Sequence, residues 1–75
     1  MEQLLTILKG IRNDVDFEKE EFLIDGNVLD SFDIVTIVNG MEETFGIEIK
    51  ASDIIPENFN SVSAMTALVE KYRNA

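Results

Sequence analysis

The sequence predicts an all-α fold: a bundle of three main helices and one short helix, with a long first loop between helices one and two. Three observations carry this. Apolar residues recur at i, i+4, i+7, i+11 in two segments and at i, i+3, i+7, i+10 in a third, which is the spacing of a single helix face. Gly46 and Pro56 stand where two of these elements should stop. Hydrophobic residues make up 45% of the chain, too many for a disordered one, yet the longest apolar run is only a few residues, so nothing is expected to span a membrane.

The first helix is expected from about Glu2 to Asn13, with Leu4, Leu8, Ile11 and Val15 as its stripe and Leu5 and Ile7 widening it. The connection from about Asp14 to Asp30 carries Phe17, Phe22, Leu23, Ile24, Val28 and Leu29. A loop this long and apolar is expected to pack across the helices, because long structureless loops are unusual in compact domains.

The second helix is expected from Ser31 to Phe45. Ile34, Val38, Met41 and Phe45 fall within one narrow arc, and Phe32, Thr36, Asn39 and Glu43 on the opposite one. Gly46 then supplies a C-terminal stop. One feature opposes this helix. Asn39-Gly40 is a favoured hairpin turn, and Ile47-Glu48-Ile49 alternates like a strand. The helix is preferred because its stripe runs straight through the pair, and Gly40 is read as permitting close approach of another element. A short third helix is expected from about Ser52 to Ile55, ended by Pro56. The last runs from about Ser61 to Arg73, striped by Val62, Met65, Val69 and Tyr72, capped by Ser61 or Asn60, with Lys71 and Arg73 suiting its negative end.

Composition excludes several functions. With no Cys and no His there is no disulfide framework, thiolate nucleophile, zinc site of the usual kind or His-based triad. Net charge is −9, and between Glu20 and Ile49 there are eight acidic residues and no basic one. Such a field repels nucleic acid and anionic membranes and attracts basic protein surfaces, and its self-repulsion opposes compaction. The plainer reading is a solvated acidic face that confers solubility. The start, Met1-Glu2-Gln3-Leu4, lacks the features of a signal peptide, so a cytoplasmic location is expected. A calcium loop beginning at Asp25 fails, because its sixth position is Asp30 rather than Gly and its twelfth is Thr36 rather than Glu. No metal site is expected, and Met41 and Met65 read as core filler.

The acidic segment surrounds Ser31, which sits where the loop gives way to the second helix. A hydroxyl there is placed to carry a phosphate, because a helix N-terminus offers unpaired amides and positive dipole charge. It is equally placed to serve only as the N-cap. Asp30 and Asp33 flank it. As an acid/base pair they lack an evident pocket, so no catalytic residue is assigned.

Val28-Leu29-Asp30-Ser31-Phe32-Asp33, Glu43-Thr44-Phe45-Gly46-Ile47-Glu48-Ile49 and Pro56-Glu57-Asn58-Phe59-Asn60-Ser61 together resemble acyl carrier proteins, in order and at the expected distances. The resemblance spans Leu4 to Tyr72. It implies an acyl-carrier-like bundle, a single carrier domain over residues 1–75, and 4′-phosphopantetheine held by Ser31 through a phosphodiester, its thiol carrying an acyl or aminoacyl thioester. It implies a monomeric non-enzyme served by a phosphopantetheinyl transferase, a loading ligase or acyltransferase, and acceptor enzymes. Asp30 and Asp33 would help dock the transferase, although Asp33 equally suits dipole compensation in the first turn. Phe32 corresponds to a Leu or Met that meets partners in that family, though it could fold back under the loop, and Val35 lies at the stripe's edge. Glu42 and Glu43 resemble the acidic recognition residues late in the same helix.

The pattern also departs from the family. Fatty-acid-synthesis carriers usually read Gly-Ala-Asp-Ser-Leu where this chain reads Val28-Leu29-Asp30-Ser31-Phe32, which is more similar to freestanding carriers loaded by ATP-dependent ligases, D-alanyl carriers among them. Asn27 stands where Gly is common there, and Asn tolerates positive φ better than most residues. The rival reading from another class is an unmodified acidic helical module that binds one protein through its second helix.

Overall fold

The computed structural model describes residues 2–74, so the expected domain limits at 1 and 75 lie outside the described residues. It is all-helical, with α1 at Glu2–Ile11, α2 at Ser31–Phe45 and α3 at Val62–Arg73, and no strand among the described residues. Ile47–Ile49, which alternates like a strand, is irregular. The expected short third helix is replaced by two single 3₁₀ turns, Ala51–Asp53 and Pro56–Asn58. Too few residues separate Lys50 from Pro56 for an α-helix to propagate, and Pro56 pre-sets the second turn instead. No helix is long and apolar enough to cross a membrane.

The core lies between the three helices and under the long loop. Leu4 and Leu8 of α1, Ile37, Val38 and Met41 of α2, and Met65, Leu68 and Val69 of α3 are buried. α1 ends two residues earlier than expected, and Val15 packs on the core from beyond its end. Ile37 is fully buried although it lies beside the expected α2 stripe, while Ile34 and Phe45 of that stripe are only half-buried. The reason is where α1 docks. A β-carbon added at Gly40, one turn from Ile37 on the same flank, would lie 2.9 Å from Ile7 Cγ2. The missing side chain therefore lets Ile7 of α1 press against the flank on which Ile37 is buried, as expected for a helical glycine at a close approach.

The loop packs across the bundle through Phe17, Leu23 and Leu29, all buried, whereas Phe22 stays 59% exposed. It closes on itself: the Gly26 and Asn27 amides donate to Phe22 O and Ile24 O, and the Leu29 amide donates to Leu23 O at 2.8 Å. Asn27 has φ 60°, the left-handed region expected of it. Beyond α2 the chain is fastened on both sides. The Ile49 amide donates to Glu42 Oε2 at 3.0 Å. The Lys50 amide donates to Tyr72 Oη at 3.0 Å, and that hydroxyl donates in turn to the Asp53 carboxylate, which also receives Lys71 Nζ at 3.0 Å. The Tyr72 hydroxyl, then Lys71, hold the Asp53 carboxyl below its ordinary value, and Asp53 in return raises both partners.

Candidate functional site

Asp30, not Ser31, is the N-cap of α2. Its backbone is extended (φ −119°), and its carboxylate accepts the Asp33 amide at 3.1 Å. The Asp33 carboxylate reaches back to accept the Asp30 amide at 3.1 Å. This reciprocal box satisfies two otherwise unpaired donors. Asp and Ser are nearly equal as caps, and here Asp30 takes the role because Asp33 lies three residues on to answer it. Ser31 thereby becomes the first helical residue. It is exposed, and among the described residues its hydroxyl and the amides of Ser31 and Phe32 enter no hydrogen bond. An oxygen at this spot has two free N–H groups and the positive end of α2 beside it, which suits a phosphate ester.

Two carboxylates in the same turn oppose that field, and a cation just beyond α1 acts on one of them, Asp33. Arg12 pairs with Asp14 at 3.1 Å and donates from Nη1 to Val28 O at 3.1 Å, two residues before the cap. Its guanidinium is held above its ordinary value chiefly by the hydrogen bond to Asp14, with Asp33 adding to the effect. The run without basic residues from Glu20 to Ile49 is thus partly compensated from outside itself.

The loop is anchored from the opposite side by Asn60. Its carbonyl accepts the Leu23 amide at 2.9 Å, and its Oδ1 accepts the Ile24 and Asp25 amides, both at 3.0 Å. Its Nδ2 donates to Asp25 Oδ2 at 2.9 Å. The cap of α3 is Ser61, whose Oγ accepts the Ala64 amide at 3.0 Å. Neither Asn60's clasp nor Arg12's reach was read from the sequence. The one signal for Asn60 was the surplus: two cap-type residues stand where a helix needs one.

The other candidate residues divide sharply. Phe32 is 84% exposed and does not fold back under the loop, and Val35, one turn along, is 57% exposed. Glu43 is exposed on the same outward face, whereas Glu42 is half-buried and committed to the Ile49 amide. Asp33 is half-buried in the capping box. Two surface clefts of about 480 and 350 Å³ lie around Asp53 and Lys71, and Ser31 lines neither. Their walls carry the Asp53–Tyr72–Lys71 fastening, a structural contact.

A protein family described as phosphopantetheine attachment site matches residues 28–69, more than half of the chain and inclusive of Ser31, Asn60 and most of α3. No curated protein and no solved structure matches the chain.

Proposed function

The chain belongs to the phosphopantetheine-attachment family, that of acyl carrier proteins, and on that premise we propose that Ser31 is the residue to which its prosthetic group is joined. The domain is a site of 4′-phosphopantetheine attachment and a carrier rather than a catalyst. It works with a phosphopantetheinyl transferase and with acyl-handling enzymes. When bound, the group supplies the thiol that this Cys-free chain lacks.

One observation carries the assignment of Ser31. Inside the matched residues, an exposed hydroxyl stands in the first turn of a helix whose cap is supplied by its neighbour, so nothing in the fold occupies it. Ser31 Oγ bonds to the pantetheine-bearing phosphorus of coenzyme A, and the pyrophosphate P–O bond breaks. Adenosine 3′,5′-bisphosphate leaves, and the hydroxyl proton passes to a base of the transferase. The free amides of Ser31 and Phe32 would offer donors to the ester's oxygens, and Arg12 would temper the repulsion from Asp33. Phe32 and Val35, with Glu43 further along the outward face, form the surface that partners read. Asp30 and Asp33 hold the turn that presents Ser31, and Glu42 contributes charge to that surface while it anchors Ile49.

Incubation with coenzyme A, magnesium and a broad-specificity transferase should add one phosphopantetheine mass, and Ser31→Ala should abolish it. Modification of the alanine variant, or none of the native protein, would overturn the assignment. The second outcome favours the unmodified interaction module.

The residues beside Ser31 support a proposal for the loading route. Leu29-Asp30-Ser31-Phe32 is more similar to freestanding, ligase-loaded carriers than to fatty-acid-synthesis carriers. The thiol accordingly receives a carboxylic or amino acid activated by a separate ligase with ATP. Offering the modified protein to such ligases with candidate acids, and separately to a malonyl transferase, decides between them. Efficient malonylation without ATP-dependent loading would place it in fatty-acid or polyketide synthesis.

A further inference from the structure

The four hydrogen bonds of Asn60 converge on one short piece of chain, residues 23–25, which lies 35 to 37 positions away in sequence. That piece is closed onto Leu29 by the Leu29 N–H to Leu23 O bond, and Leu29 is buried directly before the Asp30 cap. The path from Asn60 to Ser31 is therefore continuous. Its main-chain carbonyl holds Leu23 and its side chain holds the adjoining Ile24 and Asp25. Leu23 fixes Leu29, and Leu29 delivers Asp30 and Ser31. Side-chain packing shares the anchoring, since Leu23 and Leu29 are buried and Ile24 and Val28 pack on the core, but the polar fastening comes from Asn60. Phe22 and Asp25 are exposed. Asn60 is not the cap of α3, a role Ser61 fulfils alone, so its side chain is committed wholly to the loop.

We infer that Asn60 is a positioning residue for Ser31: it fixes the loop from which the nucleophilic hydroxyl is presented to the transferase. The inference rests on Ser31 being the attachment site. A nucleophile misplaced by about 1 Å can lose up to about a hundredfold in rate even when the change lies far from the chemistry. Loss of the clasp leaves Phe32, Val35 and Glu43 on their own helix face, so turnover should suffer while docking does not.

The test measures kcat and KM for modification of the apo protein by coenzyme A and a transferase, at a temperature where circular dichroism shows each variant folded. Asn60→Ala should lower kcat about tenfold and leave KM within about twofold. Asn60→Asp should also lower kcat, because its carboxylate would face that of Asp25. Adding Asp25→Asn to Asn60→Asp exchanges donor and acceptor across the same contact and should restore the native kcat. Native kcat in both single variants would overturn the inference, as would a loss fully explained by the unfolded fraction. If Asn60→Ala does not fold, the exchange decides alone: a double variant no faster than Asn60→Asp overturns it. Failure of the Ser31 assignment has a different signature, a native protein that is never modified or a Ser31→Ala variant that is.

Discussion

The inward and outward flanks of α2 use residues only one to three positions apart for opposite purposes. Inward, Ile37, Val38 and Met41 are buried and Gly40 admits Ile7. Outward, Phe32 and Val35 project into solvent although they are as apolar as the core. Glu42 and Glu43 repeat the contrast in consecutive residues of one type, the first bonded to Ile49, the second free in solvent. Hydrophobicity and charge alone therefore do not separate the buried flank of this helix from the exposed one. Phase on the helix does, and α1's docking against Gly40 sets the phase.

The largest break in that contrast should come from the inward flank. Met41→Ala is expected to cost about 2–5 kcal/mol, since Met41 is fully buried and a cavity would remain. Gly40→Val should cost about 1–3 kcal/mol by forcing Ile7 and α1 away. Both are read by urea denaturation. Against a total stability of about 5–10 kcal/mol for a small domain, Met41→Ala should leave a measurable unfolded fraction. If neither variant loses stability, the packing of α1 on α2 is not what fixes the phase.

The paired glutamates sharpen the comparison at smaller scale. Glu42→Ala leaves the Ile49 amide without its acceptor and should cost about 1–3 kcal/mol. Glu43→Ala should stay within about 0.5 kcal/mol of native. Equal melting points for the two would remove the distinction drawn between them.

Much of this was legible in the chain. The span of α2, the Gly46 stop, the close approach at Gly40 and the left-handed Asn27 each follow from local chemistry within a few residues, and local signals are what periodicity and turn preference report. The site was legible to the extent that Ser31 was placed at a helix start, but its neighbour took the cap, a one-residue question that two good capping residues leave open. The Asn60 clasp and the Asp53–Tyr72–Lys71 fastening were invisible. They join residues 18 to 37 positions apart through polar atoms, and no spacing rule encodes such pairs. Ile37 stood outside the expected stripe for a related reason: helix-facing arcs come from sequence, but their width depends on the partner helix.

The Asp53 fastening gives the fold a pH dependence at both ends of the scale. Asp53 titrates below its ordinary 3.8, so its contribution is present above that value and is lost as pH falls below it. Tyr72 titrates above its ordinary 10.0, so its contribution is present below 10 and is lost as pH rises through the raised value. The melting temperature should therefore hold between these limits and fall outside them, with Lys71, also raised, adding to the alkaline loss. Asp53→Asn should flatten the acid limb. An unchanged acid limb in that variant would assign the dependence to other carboxylates.

The smallest effect on stability is expected on the outward flank, where it separates recognition from folding most cleanly. Phe32→Ala removes a side chain that is 84% exposed and should shift stability by no more than about 0.5 kcal/mol. Glu43→Lys relieves like-charge repulsion in a chain of net charge −9 and should be neutral or slightly stabilising. Both should nevertheless slow modification by the transferase, Phe32→Ala by removing an apolar contact and Glu43→Lys by weakening attraction to a basic partner surface. Steering of this kind is screened over about 8–10 Å at moderate salt. Raising sodium chloride should therefore slow the native protein, change Phe32→Ala in parallel with it, and affect Glu43→Lys less. Native rates in both variants, together with a rate indifferent to salt, would move the partner surface off α2 while leaving the inward flank's role in folding intact.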